Sequence, residues 1–286
     1  MRKFLHFNGV RWLNLWLMLK HSYKLNFQSD KKIQPPDNSS AAEGALMAFM
    51  HHTSHELKGP ISRLKGLFHL SQIDNSYIKE YKSRIESEIS QMEGMLSKLE
   101  KVNEIMVSDY QVEECRLEDL LNEVLHQLQT QIIEQNIFVR IRADEQVIFR
   151  SIPYLLKEVL YNLLENAIQH SNSNGQAYIK ISARKVKRQI HLSIEDNGSG
   201  IPEKSLSRIF GLFYRASSKS RGSGLGLFIV KEALLKLEGR ISVESTEGCY
   251  SRFHIILPCE ISTDQFVNVQ KEKAAELVRR RNDQRV

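Results

Sequence analysis

Cysteine is scarce: the sequence holds only Cys115, Cys249 and Cys259, an odd number with no Cys-x-x-Cys pair. That argues against a disulfide framework or a zinc site and points to a reducing cytosol. No uninterrupted apolar run reaches the ~18–20 residues that a transmembrane helix takes. The segment from Trp12 to Leu19 is apolar but short, and no small-residue cleavage site follows it, which argues against a signal peptide. There is no P-loop Gly-Lys-Ser/Thr and no Rossmann Gly-x-Gly-x-x-Gly in a βαβ setting. The formal net charge is +6, but much of the excess lies near the N-terminus, where Arg2, Lys3, Arg11, Lys20, Lys24, Lys31 and Lys32 face only Asp30. The rest is close to balanced, so no nucleic-acid partner is expected.

Four stretches follow along the chain. Residues 1–42 form a basic, apolar segment and a linker that contains Pro35 and Pro36. Phe4, Leu5, Phe7, Trp12, Trp16 and Leu19 beside basic residues suit an amphipathic helix in peripheral contact with a membrane through residues 1–24; the same composition suits a helix packed on its own protein. Residues 43–110 contain two predicted helices, 43–70 and 75–107, joined by a turn from Ser71 to Ser76. Leu57, Ile61, Leu64 and Leu67 form a stripe on the first. Ile78, Tyr81, Ile85, Ile89, Met92, Leu96, Leu99, Val102 and Met106 form one on the second. Two copies of such a hairpin bury their stripes as a four-helix bundle, which predicts a homodimer through residues 43–110.

Residues 111–260 change pattern to mixed helices and strands. Helices are predicted over Leu117–Ile133, Pro153–His170 and Leu225–Leu237, the last ended by Gly239. Strands are predicted over Asn136–Arg142, Val147–Arg150, Ala177–Ala183, Gln189–Glu195, Arg240–Ser245 and Arg252–Leu257. This order suggests an α/β sandwich, one sheet with helices on one face. Residues 261–286 are a charged tail that reads as a solvated helix.

Chemistry is concentrated in four places. In His51-His52-Thr53-Ser54-His55-Glu56-Leu57-Lys58-Gly59-Pro60, His55 lies off the apolar stripe and should face solvent. A neutral imidazole is a competent phosphoryl acceptor near neutral pH. Glu56 can take the proton of the other ring nitrogen, and Pro60 loosens the helix just beyond. A metal at His51 and His55 lacks a further acidic or cysteine ligand at an obvious position. On the helix after Pro153, Glu158, Asn162 and Asn166 recur every four residues, and amide oxygens there suit Mg²⁺. Asp196, at the end of an apolar strand, can accept a hydrogen bond from an exocyclic amine such as adenine N6, with Gly198 and Gly200 letting backbone approach the base. An ordinary Asx turn is the alternative. Gly222, Gly224 and Gly226 open the last helix, whose free N–H groups suit phosphate. Between the glycine stretches, Phe210 and Phe213 would anchor a lid or pack in the core, and Arg215 would reach phosphate.

In this order the pieces resemble the sensor histidine kinases of two-component systems. SHELKGP is similar to the family's phospho-acceptor box, NLLENAIQHS to its asparagine box, and EDNGSGIP and GSGLGLFIVK to its two glycine boxes, with the phenylalanine box between. The resemblance covers about residues 43–258. It implies a dimeric phosphotransfer hairpin followed by a Bergerat-type ATP-binding sandwich, with ATP and Mg²⁺ as cofactors. It implies that His55 takes the phosphoryl group of ATP and passes it to an aspartate of a response-regulator receiver domain. Glu56 would be the adjacent acid/base, Asn166 the Mg²⁺ ligand, Asn162 its support, and Asp196 the reader of adenine. The glycines would shape the nucleotide site. Gyrase-like relatives carry a catalytic Glu where Asn162 stands; an amide cannot activate water. Members with strong phosphatase activity carry Thr or Asn where Gly59 stands, so weak phosphatase activity is expected. A Ser/Thr kinase of the same superfamily, a silent dimeric scaffold and an ATP-hydrolysing switch are the competing readings. The expected location is the cytoplasm, with the inner face of the cell membrane within reach of residues 1–24.

Overall fold

The computed structural model describes residues 58–70, 78–143, 147–171, 175–216 and 222–261. The predicted hairpin turn, the helix before residue 58, the N-terminal segment and the C-terminal tail lie outside the described residues. The chain divides into two compact units: Met1–Ser108 with Gly211–Phe228, and Asp109–Phe210 with Ile229–Val286.

In the first unit, residues 58–70 (α1) and Ile78–Val107 (α2) are helical. Arg63 clamps Glu88 with two hydrogen bonds, Nε to Oε1 at 2.7 Å and a terminal nitrogen to Oε2 at 2.8 Å. The pair ties together two helices whose paired residues are 25 apart in the chain. On α2, Glu80 and Arg84 pair one turn apart at 2.7 Å. The predicted stripe is only partly covered within one chain. Val102 is buried, whereas Ile61, Ile89 and Leu96 are exposed (40, 44 and 47%). Met95 and Ile105, outside the predicted stripe, are buried.

The second unit begins with β1 (Glu113–Arg116), then α3 (Leu117–Gln127), α4 (Gln129–Glu134), β2 (Phe138–Ala143), β3 (Ile148–Ser151) and α5 (Pro153–Gln169). It continues through β4 (Tyr178–Val186), β5 (Gln189–Asp196), the single turn α6 (Glu203–Leu206), α7 (Gly226–Lys236, which starts in the first unit), β6 (Arg240–Thr246) and β7 (Tyr250–Pro258). A five-stranded sheet has the order β2-β4-β5-β7-β6, with β2 and β4 parallel and the other neighbours antiparallel.

Alternation along the strands makes one face of this sheet apolar. Ile179, Ile181, Ile190, Leu192, Ile194, Phe253, Ile255 and Leu257 are all buried on it. Leu155, Val159, Leu163 and Leu164 of α5, also buried, supply the helical side of the core. Pro153 stands in the first turn of α5, where its missing N–H costs nothing.

Four details differ from the sequence expectation. The predicted helix Leu117–Ile133 bends at Leu128 (φ −94, ψ 1), although the Leu128 amide still reaches the Val124 carbonyl at 3.1 Å. The strand β1 escaped prediction, because EECR shows no alternation beyond its one buried residue, Cys115. It pairs with β3 in a separate two-stranded sheet, so the predicted single sheet is two. Finally, α7 ends at Lys236, and the left-handed residue in the turn after it is Glu238 (φ 53), not Gly239. Gly239 is needed there for space, since a Cβ would lie 2.8 Å from Leu257 Cδ2.

All three cysteines are free thiols. Burial pushes that of Cys115 up to about 11, which leaves it protonated and unreactive. Among the described residues no helix is long and apolar enough to cross a membrane.

Candidate nucleotide site

Asn162 is buried (3% exposed) on α5. Its Nδ2 donates to the backbone carbonyl of Glu158 at 2.8 Å. This fixes the amide so that Oδ1 points the other way, and that oxygen is buried with no hydrogen-bond partner among the described residues. A buried acceptor left unsatisfied costs free energy on the order of 1–3 kcal/mol unless a ligand or water completes it. The sequence placed Asn162 and Asn166 together on the helix face away from the core. Asn166, one turn on, is half-buried, but Asn162 is enclosed. Glu158, one turn before, is buried as well.

Asp196 ends β5 and is 3% exposed. The Gly198 amide donates to its Oδ1 at 2.9 Å. Burial pushes the Asp196 carboxyl up to about 6; the Gly198 hydrogen bond opposes this and the neighbouring Glu195 charge adds to it.

The loop that follows is pinned at every step. Asn197 Oδ1 accepts from the Tyr178 amide at 2.8 Å and its Nδ2 donates to the Gln176 carbonyl at 2.9 Å. The Ser199 amide donates to the His170 carbonyl at 3.0 Å, and the Gly248 amide to the Ser199 carbonyl at 2.7 Å. The Ile201 amide donates to Ser245 Oγ at 2.8 Å. Thus the end of α5, the start of β4 and the β6–β7 turn jointly hold the backbone after Asp196. A site so held meets a ligand without first ordering itself.

The geometry gives Gly198 and Gly200 a further reason to be glycine: the loop presses on the protein's own backbone. A Cβ at Gly198 would collide with the His170 carbonyl, and one at Gly200 (φ +62) with the Thr246 carbonyl. His170, Asn197, Ser245 and Gly248 are the residues that sequence reading missed. Asn197 was legible as a turn former, whereas the others act through contacts distant in sequence.

Phe210 stacks edge-on against Phe253 of β7, with ring centroids 6.5 Å apart, and so packs toward the sheet core. Phe213 is buried with φ +58. In the first unit, Gly224 (φ +70) lies so close to the Phe213 backbone that no side chain fits. This clasp joins the phenylalanine stretch to the second glycine stretch. Gly226 begins α7, one residue after the predicted start, with Gly222 half-buried ahead of it. Arg215, half-buried, stands between. Asn162, Asn166, Asp196, Gly198, Gly200 and Phe210 belong to the second unit; Phe213, Arg215, Gly222, Gly224 and Gly226 belong to the first. His55 and Glu56 lie outside the described residues.

Residues 152–261 match the family model of the histidine kinase-, DNA gyrase B- and HSP90-like ATPases. The chain is 28% identical over 226 residues to the alginate biosynthesis sensor protein KinB of Pseudomonas aeruginosa, covering 76% of this chain and 38% of that protein. It is 30% identical over 209 residues to sporulation kinase A of Bacillus subtilis, covering 72% of this chain and 33% of that one. Among solved structures, that of the histidine kinase ThkA in complex with the response regulator protein TrrA shares the fold. Its TM-score is 0.62 at 23% identity, over 76% of this chain and 62% of that one. The chain therefore spans between a third and two-fifths of the length of these two curated relatives.

Proposed function

We propose, because the chain carries the Bergerat-type ATP-binding domain of the sensor histidine kinases, that it phosphorylates its own His55 from ATP and passes the phosphoryl group to an aspartate of a response-regulator receiver domain. The observation that carries this reading is the orphaned, enclosed Oδ1 of Asn162 in the same unit as the buried carboxylate of Asp196. A buried, unsatisfied oxygen acceptor one turn from Asn166 and a buried carboxylate suited to an exocyclic amine fit the two ends of an adenine nucleotide.

Oxygen donors without histidine or thiolate suit Mg²⁺. Asn166 is the ligand, with Asn162 beside it, and the bound ion would neutralise phosphate charge. Asp196 orients the base. In the transfer, a ring nitrogen of His55 attacks the γ-phosphorus, the N–P bond forms, the bond to the β-phosphate bridging oxygen breaks, and ADP leaves. Glu56 accepts the proton of the other ring nitrogen. Asn162, an amide, cannot deprotonate water, so the nucleotide is spent on His55. The family resemblance assigns Arg215, Gly222, Gly224 and Gly226 to phosphate.

The organisation follows the sequence: a basic segment in peripheral membrane contact within 1–42, a dimerising phosphotransfer hairpin over 43–110, the catalytic domain over 111–260 and the tail 261–286. The exposure of Ile61, Ile89 and Leu96 supports a second copy on the hairpin. The complex of ThkA with TrrA supports a receiver domain as the acceptor.

Incubation with γ-labelled ATP and Mg²⁺ tests this. Label should enter the intact chain, be lost in acid and be absent from His55→Ala. Acid-stable label would support a serine or threonine kinase instead, and undiminished label on His55→Ala would overturn the proposal.

A further inference from the structure

The end of the sheet opposite Asp196 carries a second, unassigned feature. β4 and β5 are joined by a two-residue turn, with Val186 paired to Gln189 and Lys187 and Arg188 at the tip. Within five residues the hairpin presents Arg184, Lys185, Lys187 and Arg188, all exposed. The last rungs of the sheet run from Arg184↔His191 and Lys185↔Ile190 on to Ile256, Leu257 and Arg240, and none of the residues paired there is acidic. Arg142, beside Ser182, extends the cationic edge onto β2. The carboxylates that adjoin these strand ends in the sequence are Glu238 and Glu260, just outside β6 and β7, and Asp144 and Glu145, which follow β2. Among the described residues, none of the cations Arg142, Arg184, Lys185, Lys187, Arg188 and Arg240 has an ion-pair partner.

The turn is also built against local preference. Lys187 has φ +56, the conformation for which tight hairpin turns ordinarily use glycine or asparagine. A lysine there is mildly strained, and it places one more cation at the turn. The backbone beneath is anchored, since the Cys259 amide donates to the Arg188 carbonyl at 2.9 Å. The tip is therefore a fixed projection with mobile charged ends.

We infer that this β4–β5 hairpin tip is a docking site for an anionic phospholipid bilayer. The geometry selects that occupant over an acidic protein. Arg184 and Lys185 leave the hairpin on opposite faces and Lys187 and Arg188 stand at its turn, so the charges spread in several directions rather than lining one face. A shaped acidic partner needs a defined face to match. Lipid headgroups are mobile and gather around a polybasic turn without fixed partners. β5 holds the tip about 23 Å from Asp196, seven residues at ~3.3 Å each, so docking leaves the nucleotide residues uncovered. A second basic, aromatic-rich segment lies in the same chain at residues 1–24, and two weak contacts with one surface reinforce each other.

The experiment uses the full chain with vesicles of equal parts phosphatidylglycerol and phosphatidylcholine, and with phosphatidylcholine alone. The chain should sediment with the first and not the second. Each cation near an anionic surface contributes about fivefold in partitioning, so Lys185→Gln/Lys187→Gln/Arg188→Gln should weaken binding about 100-fold while its affinity for a fluorescent ATP analogue stays unchanged. Lys185→Glu, a single exposed change that removes no hydrogen bond among the described residues, should act in the same direction and guards against misfolding of the triple variant. Absence of binding by the unmodified chain, equal binding to both vesicles, or undiminished binding by Lys185→Glu and the triple variant would each overturn the inference. The last outcome would assign any membrane contact to residues 1–24 alone.

Discussion

The amide of Gly198 donates to Oδ1 of Asp196 across 2.9 Å, and among the described residues it is the hydrogen bond that opposes the desolvation of that buried carboxyl. Desolvation wins, and the carboxyl titrates near 6. Only the ionised form accepts freely from an exocyclic amine, so nucleotide affinity should fall as pH drops through 6. The ionised fraction changes by roughly tenfold between pH 7 and pH 5. Titration with an ATP analogue across that range should show an apparent Kd about tenfold higher at pH 5. A flat profile would mean that Asp196 does not read the base.

The same shift has a stability consequence of definite sign. A carboxyl whose folded pKa lies above its unfolded value contributes stability below the unfolded pKa and loses it as pH rises through the folded one. At pH 7, then, the ionised Asp196 is a liability to the unliganded fold. Asp196→Asn retains an oxygen for the Gly198 amide and should raise stability at pH 7 by on the order of 1–3 kcal/mol, while abolishing ATP binding. Thermal melts at pH 7 and pH 4.5 check this, because the gain should shrink at the lower pH.

Gly200 tolerates no side chain, for two independent reasons: its φ of +62 and the Thr246 carbonyl beside it. Gly200→Ala should lose about 2–4 kcal/mol, seen as a lower urea midpoint. Gly66 and Gly94, on the helices of the first unit, have nothing within 4 Å of an added Cβ. Alanine there should be neutral or stabilising by up to about 1 kcal/mol.

On the sheet face away from the helices, Glu195 accepts from Arg252 at 2.7 Å and from Tyr178 at 3.2 Å, with Lys180 at 3.9 Å. Arg252→Met should cost about 1–2 kcal/mol, less than a fully enclosed pair because the guanidinium is a third exposed. Adding Glu195→Gln should recover part of the loss. An additive double variant in urea denaturation would show that the pair is not coupled.

Gly59 lies on the first helix with only the Arg63 guanidinium near an added Cβ, at 3.4 Å. A threonine therefore fits. Gly59→Thr should fold normally and increase dephosphorylation of the phosphorylated receiver partner, measured as the loss of its acyl phosphate over time. Unchanged dephosphorylation would show that the missing side chain is not what limits that reaction.

The placement of several candidate site residues on their elements was legible in the sequence. Asp196 ends a strand whose alternation is plain, and Glu158, Asn162 and Asn166 share a helical period. What the periodicity could not show was enclosure. Asn162 reads as a polar residue on an open helix face, yet it is only 3% exposed. The glycines were legible as a turn, but their reason was not. The surfaces that exclude a Cβ, the carbonyls of His170 and Thr246, stand 28 and 46 residues away in the chain.

The sequence by itself determined the local elements, the two central hairpins and the chemical identity of each functional group, since side-chain period and turn residues act over a few positions. Only the tertiary structure decided that β1 and β3 form a sheet of their own, that the loop after Asp196 is gripped from three elements, and that Asp196 titrates near 6. Strand partners and local dielectric depend on groups far apart in the chain, and no local pattern records them.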